Sequence, residues 1–108
     1  MSYKIELTDN FKKEAKKLIK KYASLSVEIA ELGERLSKNP TLGDHLGNDV
    51  YKIRLAISSK GKGKSGGARI ISFVKIIDQT VYLTSIYNKG EINTLTDKVI
   101  KELIKDYL

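Results

Sequence analysis

The stretch ARIISFVKIIDQTVYLTSIY, residues 68–87, decides the fold. It consists of two runs rich in β-branched and aromatic residues, 68–77 and 80–87, divided by the polar pair Asp78-Gln79, so it reads as a β-hairpin at the centre of a sheet. Upstream, YKIRLAI at 51–57 is a third strand. Its pleat puts Tyr51, Ile53 and Leu55 on one face and Lys52 and Arg54 on the other, because side chains alternate along a strand. Between these strands lies SSKGKGKSGG, 58–67, which has nothing to bury against the entropy of ordering and reads as a mobile loop.

Working outward, YKIEL at 3–7 alternates in polarity and predicts a short first strand, and Thr8 or Asp9 can cap a helix after it. Phe11, Ala15, Leu18, Ile19 and Tyr22 keep helical spacing, while Lys12, Lys13, Lys16, Lys17, Lys20 and Lys21 fill the remaining face. A second helix starts at Ser24 or Ser26, carries Leu25, Ile29, Leu32 and Leu36 on one stripe, and ends at Asn39-Pro40, because proline restricts the residue before it. Residues 41–48 read as a connecting loop. At the other end, Thr94 or Thr96 caps a last helix with Val99, Ile100, Leu103, Ile104 and Tyr107 on one face. The order β-α-α-β-β-β-α predicts a single α+β domain over 1–108, an antiparallel sheet packed on one face by helices.

The chain has 108 residues and 41% hydrophobic content, enough for one modest core. It contains no cysteine, which excludes disulfides and thiolate metal sites, and neither a secretory leader nor a membrane span is legible, so a cytosolic protein is expected. Twenty Lys and Arg against thirteen Asp and Glu give a net charge of +7, suited to phosphate backbones or acidic protein surfaces.

The candidate chemistry follows from the cations. Lys52 and Arg54 share the non-core face of their strand, Arg69 interrupts an otherwise apolar run, and Tyr87 and Lys89 stand at the end of the last strand. A hairpin sheet could gather them on one concave face as a phosphate site with a phenol beside it. Lys60, Lys62 and Lys64 in the loop are either part of a flexible linker or a clamp that orders on phosphate. Lys13, Lys16, Lys17 and Lys20 are either a solvated helix face or an RNA contact. The glycines of KGKGKSGG do not match the GxxxxGK(S/T) phosphate loop, and His45, the one histidine, reads as an exposed turn residue, so no nucleotide-triphosphate site, metal or cofactor is expected. Cleavage without a metal is chemically open to RNA, where the 2′-OH attacks the adjacent phosphorus. The protein then needs a base for that proton, cations for the transition state and an acid for the leaving oxygen.

At YKIRLAI, then KGKGKSGGARIISF, then VYLTSIYNKGE before a short helix, the sequence resembles the RelE/ParE superfamily of toxin-antitoxin toxins, closest to the RelE and HigB-like branch, over nearly the whole chain. The resemblance implies a curved antiparallel sheet and a metal-free endoribonuclease that cleaves mRNA in the ribosomal A site, with a cognate antitoxin, ribosome and mRNA as partners. By motif position it implies proton handling by Lys52, phosphate stabilisation by Arg54 and Arg69, and a basic contribution from Lys89. The family's frequent arginine after that lysine is Gly90 here, and Leu95 and Thr96 stand where the RelE type has a tyrosine, so Tyr87, or secondarily Tyr107, takes its part. The alternatives are a toxin of the same fold acting on DNA gyrase and a non-catalytic nucleic-acid-binding module.

Overall fold

The structure is a computed structural model that describes residues 2–60, 67–88 and 95–108. Strand β1 (Lys4–Leu7) leads through Thr8 into helix α1 (Asp9–Lys21), and α2 (Leu25–Lys38) follows. The Thr8 hydroxyl accepts from the Phe11 N–H as an N-cap and donates to the Leu83 carbonyl, so one buried side chain starts the helix and ties it to the sheet. Strands β2 (Asp44–Gly47), β3 (Val50–Leu55), β4 (Ala68–Lys75) and β5 (Thr80–Asn88) follow, and helix α3 (Asp97–Ile104) and a 3₁₀ turn (Lys105–Tyr107) end the chain. Thr96 caps α3 by accepting from the Val99 N–H.

The strands form one sheet in the order β1-β5-β4-β3-β2. The β4-β5 hairpin is central, as its apolar sequence predicts. Strand β4 is buried along almost its whole length because both faces of the sheet are covered. On one face Ile53, Leu55, Ile70, Val74, Val81, Leu83 and Ile86 pack against Phe11, Ala15 and Leu18 of α1 and Leu25, Leu32 and Leu36 of α2. On the other, Val50, Ile71, Phe73 and Tyr87 pack against Ile104, with Ile100, Leu103 and Tyr107 beside it.

Four details depart from the sequence expectation, each for a physical reason. Strand β1 pairs with β5 in parallel, Lys4 opposite Thr80 and Leu7 opposite Leu83, so the sheet is mixed rather than antiparallel. No hairpin ties these two strands, so their relative direction is not dictated by a turn. The expected loop 41–48 contains strand β2, and His45 lies on it with its ring centroid 4.9 Å from that of Tyr51. Gly47 pairs with Val50, and the two residues between them, Asn48 and Asp49, have φ of 53° and 62°, the two left-handed residues of a tight hairpin turn. Helix α3 packs on the face opposite α1 and α2, and Val99 of its expected apolar stripe is exposed. Strand β4 stops at Lys75, because Ile76–Asp78 form a 3₁₀ turn that leaves Ile76 and Ile77 in solvent.

Strand β5 extends beyond its β1 partner, and Glu14 of α1 takes over that edge. Its Oε1 accepts from the Ile86 N–H, the Ser85 hydroxyl and the Asn10 amide. Gly43, at φ 101°, sits where a Cβ would come within 2.5 Å of the Lys52 carbonyl oxygen. Gly43→Ala should therefore destabilise the fold by about 1–3 kcal/mol through backbone strain and displacement of β2. Urea unfolding checks this, and an unchanged midpoint would mean that residue 43 does not lie against β3.

Candidate active site

The register of three adjacent strands builds the site. Arg54 on β3 is directly opposite Arg69 on β4, and Arg69 is directly opposite Tyr87 on β5, so the three side chains form one row on the α3 face of the sheet. One step along the same face, Lys52 is opposite Ile71. Sequence alternation predicted that Lys52 and Arg54 share a face, and the register brings Arg69 and Tyr87 beside them.

Exposure differs sharply along the row. Arg54 is exposed, Lys52 half-buried, and Arg69 and Tyr87 each only 4% exposed. One Arg69 Nη1 hydrogen bond goes to the carbonyl of its neighbour Ala68, at 3.2 Å. Arg69 places the positive charge of a guanidinium inside the sheet, directly opposite a second one. Like charges across a strand pair repel, and an anion seated between them relieves that repulsion. Tyr87 is perturbed in the other direction: burial pushes its phenol up from the ordinary value near 10, and the positive charge of Arg69 draws it part of the way back. At neutral pH it is therefore a proton donor. Its hydroxyl is buried and finds no hydrogen-bond partner among the described residues.

Beside Tyr87 lies a cavity of about 160 Å³, lined by Lys52, Ile71, Leu46 and the α3-side residues Leu95, Asp97 and Ile100. Sequence reasoning missed Asp97 and Ile100 here, because nothing in their spacing says which face of the sheet α3 covers. Tyr107 is not in this row: its ring packs against that of Tyr82, tilted by 36° with 4.7 Å between centroids, within the apolar cluster under α3.

The other expected contacts lie elsewhere. Lys13, Lys16, Lys17 and Lys20 are exposed on α1, the opposite side of the sheet from the row, and are not brought together with it. Lys12, Lys16 and Lys20 instead border an apolar groove of about 370 Å³ floored by Phe11, Ala15, Ile19 and Ile29. Lys62, Lys64 and Lys89 lie outside the described residues, as does most of the expected mobile loop 58–67, while Lys60 ends a 3₁₀ turn, Ser58–Lys60.

The start of that loop is fixed by Glu28, a residue sequence reasoning passed over because its partner there, Ser58, lies 30 positions away. Its carboxylate accepts from the Ser58 N–H at 2.7 Å, the Ser58 hydroxyl at 2.6 Å and the Ser24 hydroxyl at 3.1 Å. Burial opposes ionisation of Glu28, but these hydrogen bonds together outweigh it and hold the carboxyl below its usual range.

A family model described as the RelE toxin of the RelE/RelB toxin-antitoxin system matches residues 3–108. The chain belongs to the RelE toxin family. Its fold is similar to that of a double-mutant E. coli RelE toxin in the free state, with 20% identity, full coverage of both chains and a TM-score of 0.67. It is also similar to the isolated E. coli RelE toxin, at 20% identity over 99% of this chain and 100% of that one, with a TM-score of 0.63. The intact E. coli RelBE toxin-antitoxin complex matches at 19% identity over 81% of this chain and 96% of that one, with a TM-score of 0.62. At such identities the likeness speaks for the RelE fold, and the chemistry of this RelE-family site rests on its own residues.

Two outcomes follow. Tyr87→Phe removes a buried hydroxyl that has no hydrogen-bond partner among the described residues, so at neutral pH the variant should match the parent in stability or exceed it by up to about 1 kcal/mol. Above pH ~10 the unfolded parent releases the Tyr87 proton before the folded form does, so the parent loses stability there and the variant loses less. Urea unfolding at neutral and alkaline pH measures both, and equal alkaline losses would contradict a buried phenol. Glu28→Ala should speed amide hydrogen exchange at Ser58 and Ser59. In the parent the same loosening should appear on acidification, because a carboxyl with a depressed folded pKa stabilises only above its range and loses that contribution as pH falls through it.

Proposed function

We propose that this RelE-family chain is a ribosome-dependent, metal-free mRNA endoribonuclease, silenced by a cognate antitoxin. The observation that carries the proposal is the row Arg54, Arg69 and Tyr87 across three neighbouring strands, with Lys52 beside it. It supplies converging charge for a phosphodiester and a protonated phenol within one small surface.

In this reading the scissile phosphate sits over Arg54 and Arg69. The 2′-OH of the upstream ribose attacks the adjacent phosphorus as the bond to the 5′-oxygen of the next nucleotide breaks. The products are a 2′,3′-cyclic phosphate and a free 5′-OH. Lys52 handles the 2′-OH proton, and the two arginines stabilise the charge that builds on the nonbridging oxygens, a role worth most in a site shielded from water. Tyr87 donates a proton to the departing 5′-oxygen, a task suited to a phenol that stays protonated at neutral pH. Lys89 and the loop lysines Lys60, Lys62 and Lys64 are assigned to the RNA backbone near this site. Lys13, Lys16, Lys17 and Lys20, on the other side of the sheet, are assigned to ribosomal RNA phosphates rather than to the cleaved strand. The antitoxin is expected to present acidic segments to a chain of net charge +7.

The test is expression from a tightly controlled promoter in bacteria with transcript 5′ ends mapped within minutes, beside the Arg54→Ala, Arg69→Ala double variant. New cuts inside translated frames are expected. They should disappear when translation is blocked, and each arginine removed should lower the cleavage rate by about 100-fold or more. Growth arrest with intact transcripts would reject the nuclease and redirect attention to a protein target such as gyrase, and undiminished cuts in the folded double variant would reject the residue assignment.

A further inference from the structure

A second concave site lies at the edge of the sheet, outside the Arg54, Arg69, Tyr87 row. It is a cleft of about 330 Å³ between the C-terminal half of α2 and strand β3, lined by Leu32 and Arg35 of α2, Leu42, Gly43 and Asp44, and Lys52, Ile53 and Arg54 of β3. It exists because β2 pairs only with residues 50–52, which leaves the Ile53–Leu55 end of β3 with no strand on that side among the described residues. The positive φ of Gly43 carries the chain close over the Lys52 carbonyl there.

Three cations and one carboxylate stand around an apolar floor. Arg35 and Arg54 are exposed and Lys52 is half-buried, and none of the three forms an ion pair with a described residue; nor does Asp44, although it shares the same wall. Leu32 and Ile53 are buried beneath them, and Leu42 is partly buried. Positive charge left unpaired around a concave apolar surface calls for a ligand that is anionic at one end and flat and apolar at the other. The volume is near the lower limit of small-ligand sites, about 300 Å³, which is enough for one nucleotide. No aromatic ring lines the cleft, but a guanidinium plane can stack on a base, and two are available.

Its position sharpens the reading. Lys52 lines both this cleft and the cavity beside Tyr87, and Arg54 belongs both to the cleft and to the row. The two sites are contiguous, so one strand can run through both. We propose that the α2-β3 cleft is a nucleotide subsite that seats the residue of the RNA strand next to the scissile linkage, with Arg35 holding its phosphate and the floor of Leu32, Leu42 and Ile53 meeting its base. Asp44 is placed to accept a hydrogen bond from a ribose hydroxyl or an exocyclic amine. The subsite rests on the RNA reading of the row and deepens it.

The test is titration of the free protein with an uncleavable 2′-O-methyl oligoribonucleotide, followed by amide NMR shifts and by fluorescence affinity at several salt concentrations. Amides of Leu42, Gly43, Asp44 and Ile53 should shift on binding. Arg35→Ala should weaken affinity several-fold and reduce the slope of log affinity against log salt by about 1, while Arg35→Lys retains most of the slope. Arg35 is exposed, and an unchanged spectrum away from the cleft establishes that the variant folds. Equal affinity and slope in Arg35→Ala, or shifts that bypass residues 42–44, would overturn the proposal. So would polyglutamate that shifts the same amides with equal or greater affinity, which would assign the cleft to an acidic protein segment. Oligonucleotide bound in the cleft while 5′-end mapping finds no cuts would leave the subsite standing and reject the nuclease. Undiminished cuts in Arg35→Ala with no cleft shifts would do the reverse.

Discussion

Burial of β4 on both faces is the constraint on which the rest of the structure depends. Ile70 and Val74 enter the core beneath α1 and α2, while Ile71 and Phe73 enter the one beneath α3. A slip of one residue would exchange the two sets and turn Arg69 into the helical core, so the register is strongly specified. Because that register is fixed, so is the row: Arg54 and Tyr87 flank Arg69 through backbone pairing and need no long side-chain network to align them.

The same rigidity explains how the sheet tolerates its electrostatics. Arg54 and Arg69 face each other with like charge, and Tyr87 adds a buried hydroxyl that finds no hydrogen-bond partner among the described residues. Both features sit on one face within a single row. The doubly buried strand β4, which carries Arg69 itself, supplies the packing that holds the row in place. Helix α3 is short, eight residues, and its apolar contacts run to Val50, Ile71, Phe73 and Tyr87. Lys52 therefore lies at the margin of its cover, and Arg54 remains open to solvent.

What the sequence made legible was whatever local periodicity and capping determine. Thr8 and Thr96 cap the helices that follow them, Asn39 ends α2 before Pro40, and the apolar runs at 68–77 and 80–87 supply the central hairpin, whose strands span 68–75 and 80–88. The shared face of Lys52 and Arg54 also follows from strand alternation alone. Relations set by distant packing were not legible: the parallel direction of β1, the face chosen by α3, and the separation of the α1 lysines from the row. Strand β2 is an intermediate case. DHLG has weak strand character, yet Asn48-Asp49 could have been read as a tight turn, since asparagine and aspartate tolerate left-handed backbone. Arg69 could be singled out from sequence as a cation in an apolar run, but its pairing with Tyr87 required the register of β5.

Glu14 carries a consequence of a different kind. An open strand edge is a template on which another chain can add itself, and proteins that leave such edges bare tend to associate through them. On its β1 side β5 has no described strand beside it beyond Leu83, but the Ile86 N–H and the Ser85 hydroxyl are already held by a carboxylate from α1. An incoming strand would have to displace that carboxylate and lie against its negative charge. The first helix thus serves as a guard rail for the sheet as well as half of its core, and the most apolar hairpin of the chain is kept from recruiting copies of itself.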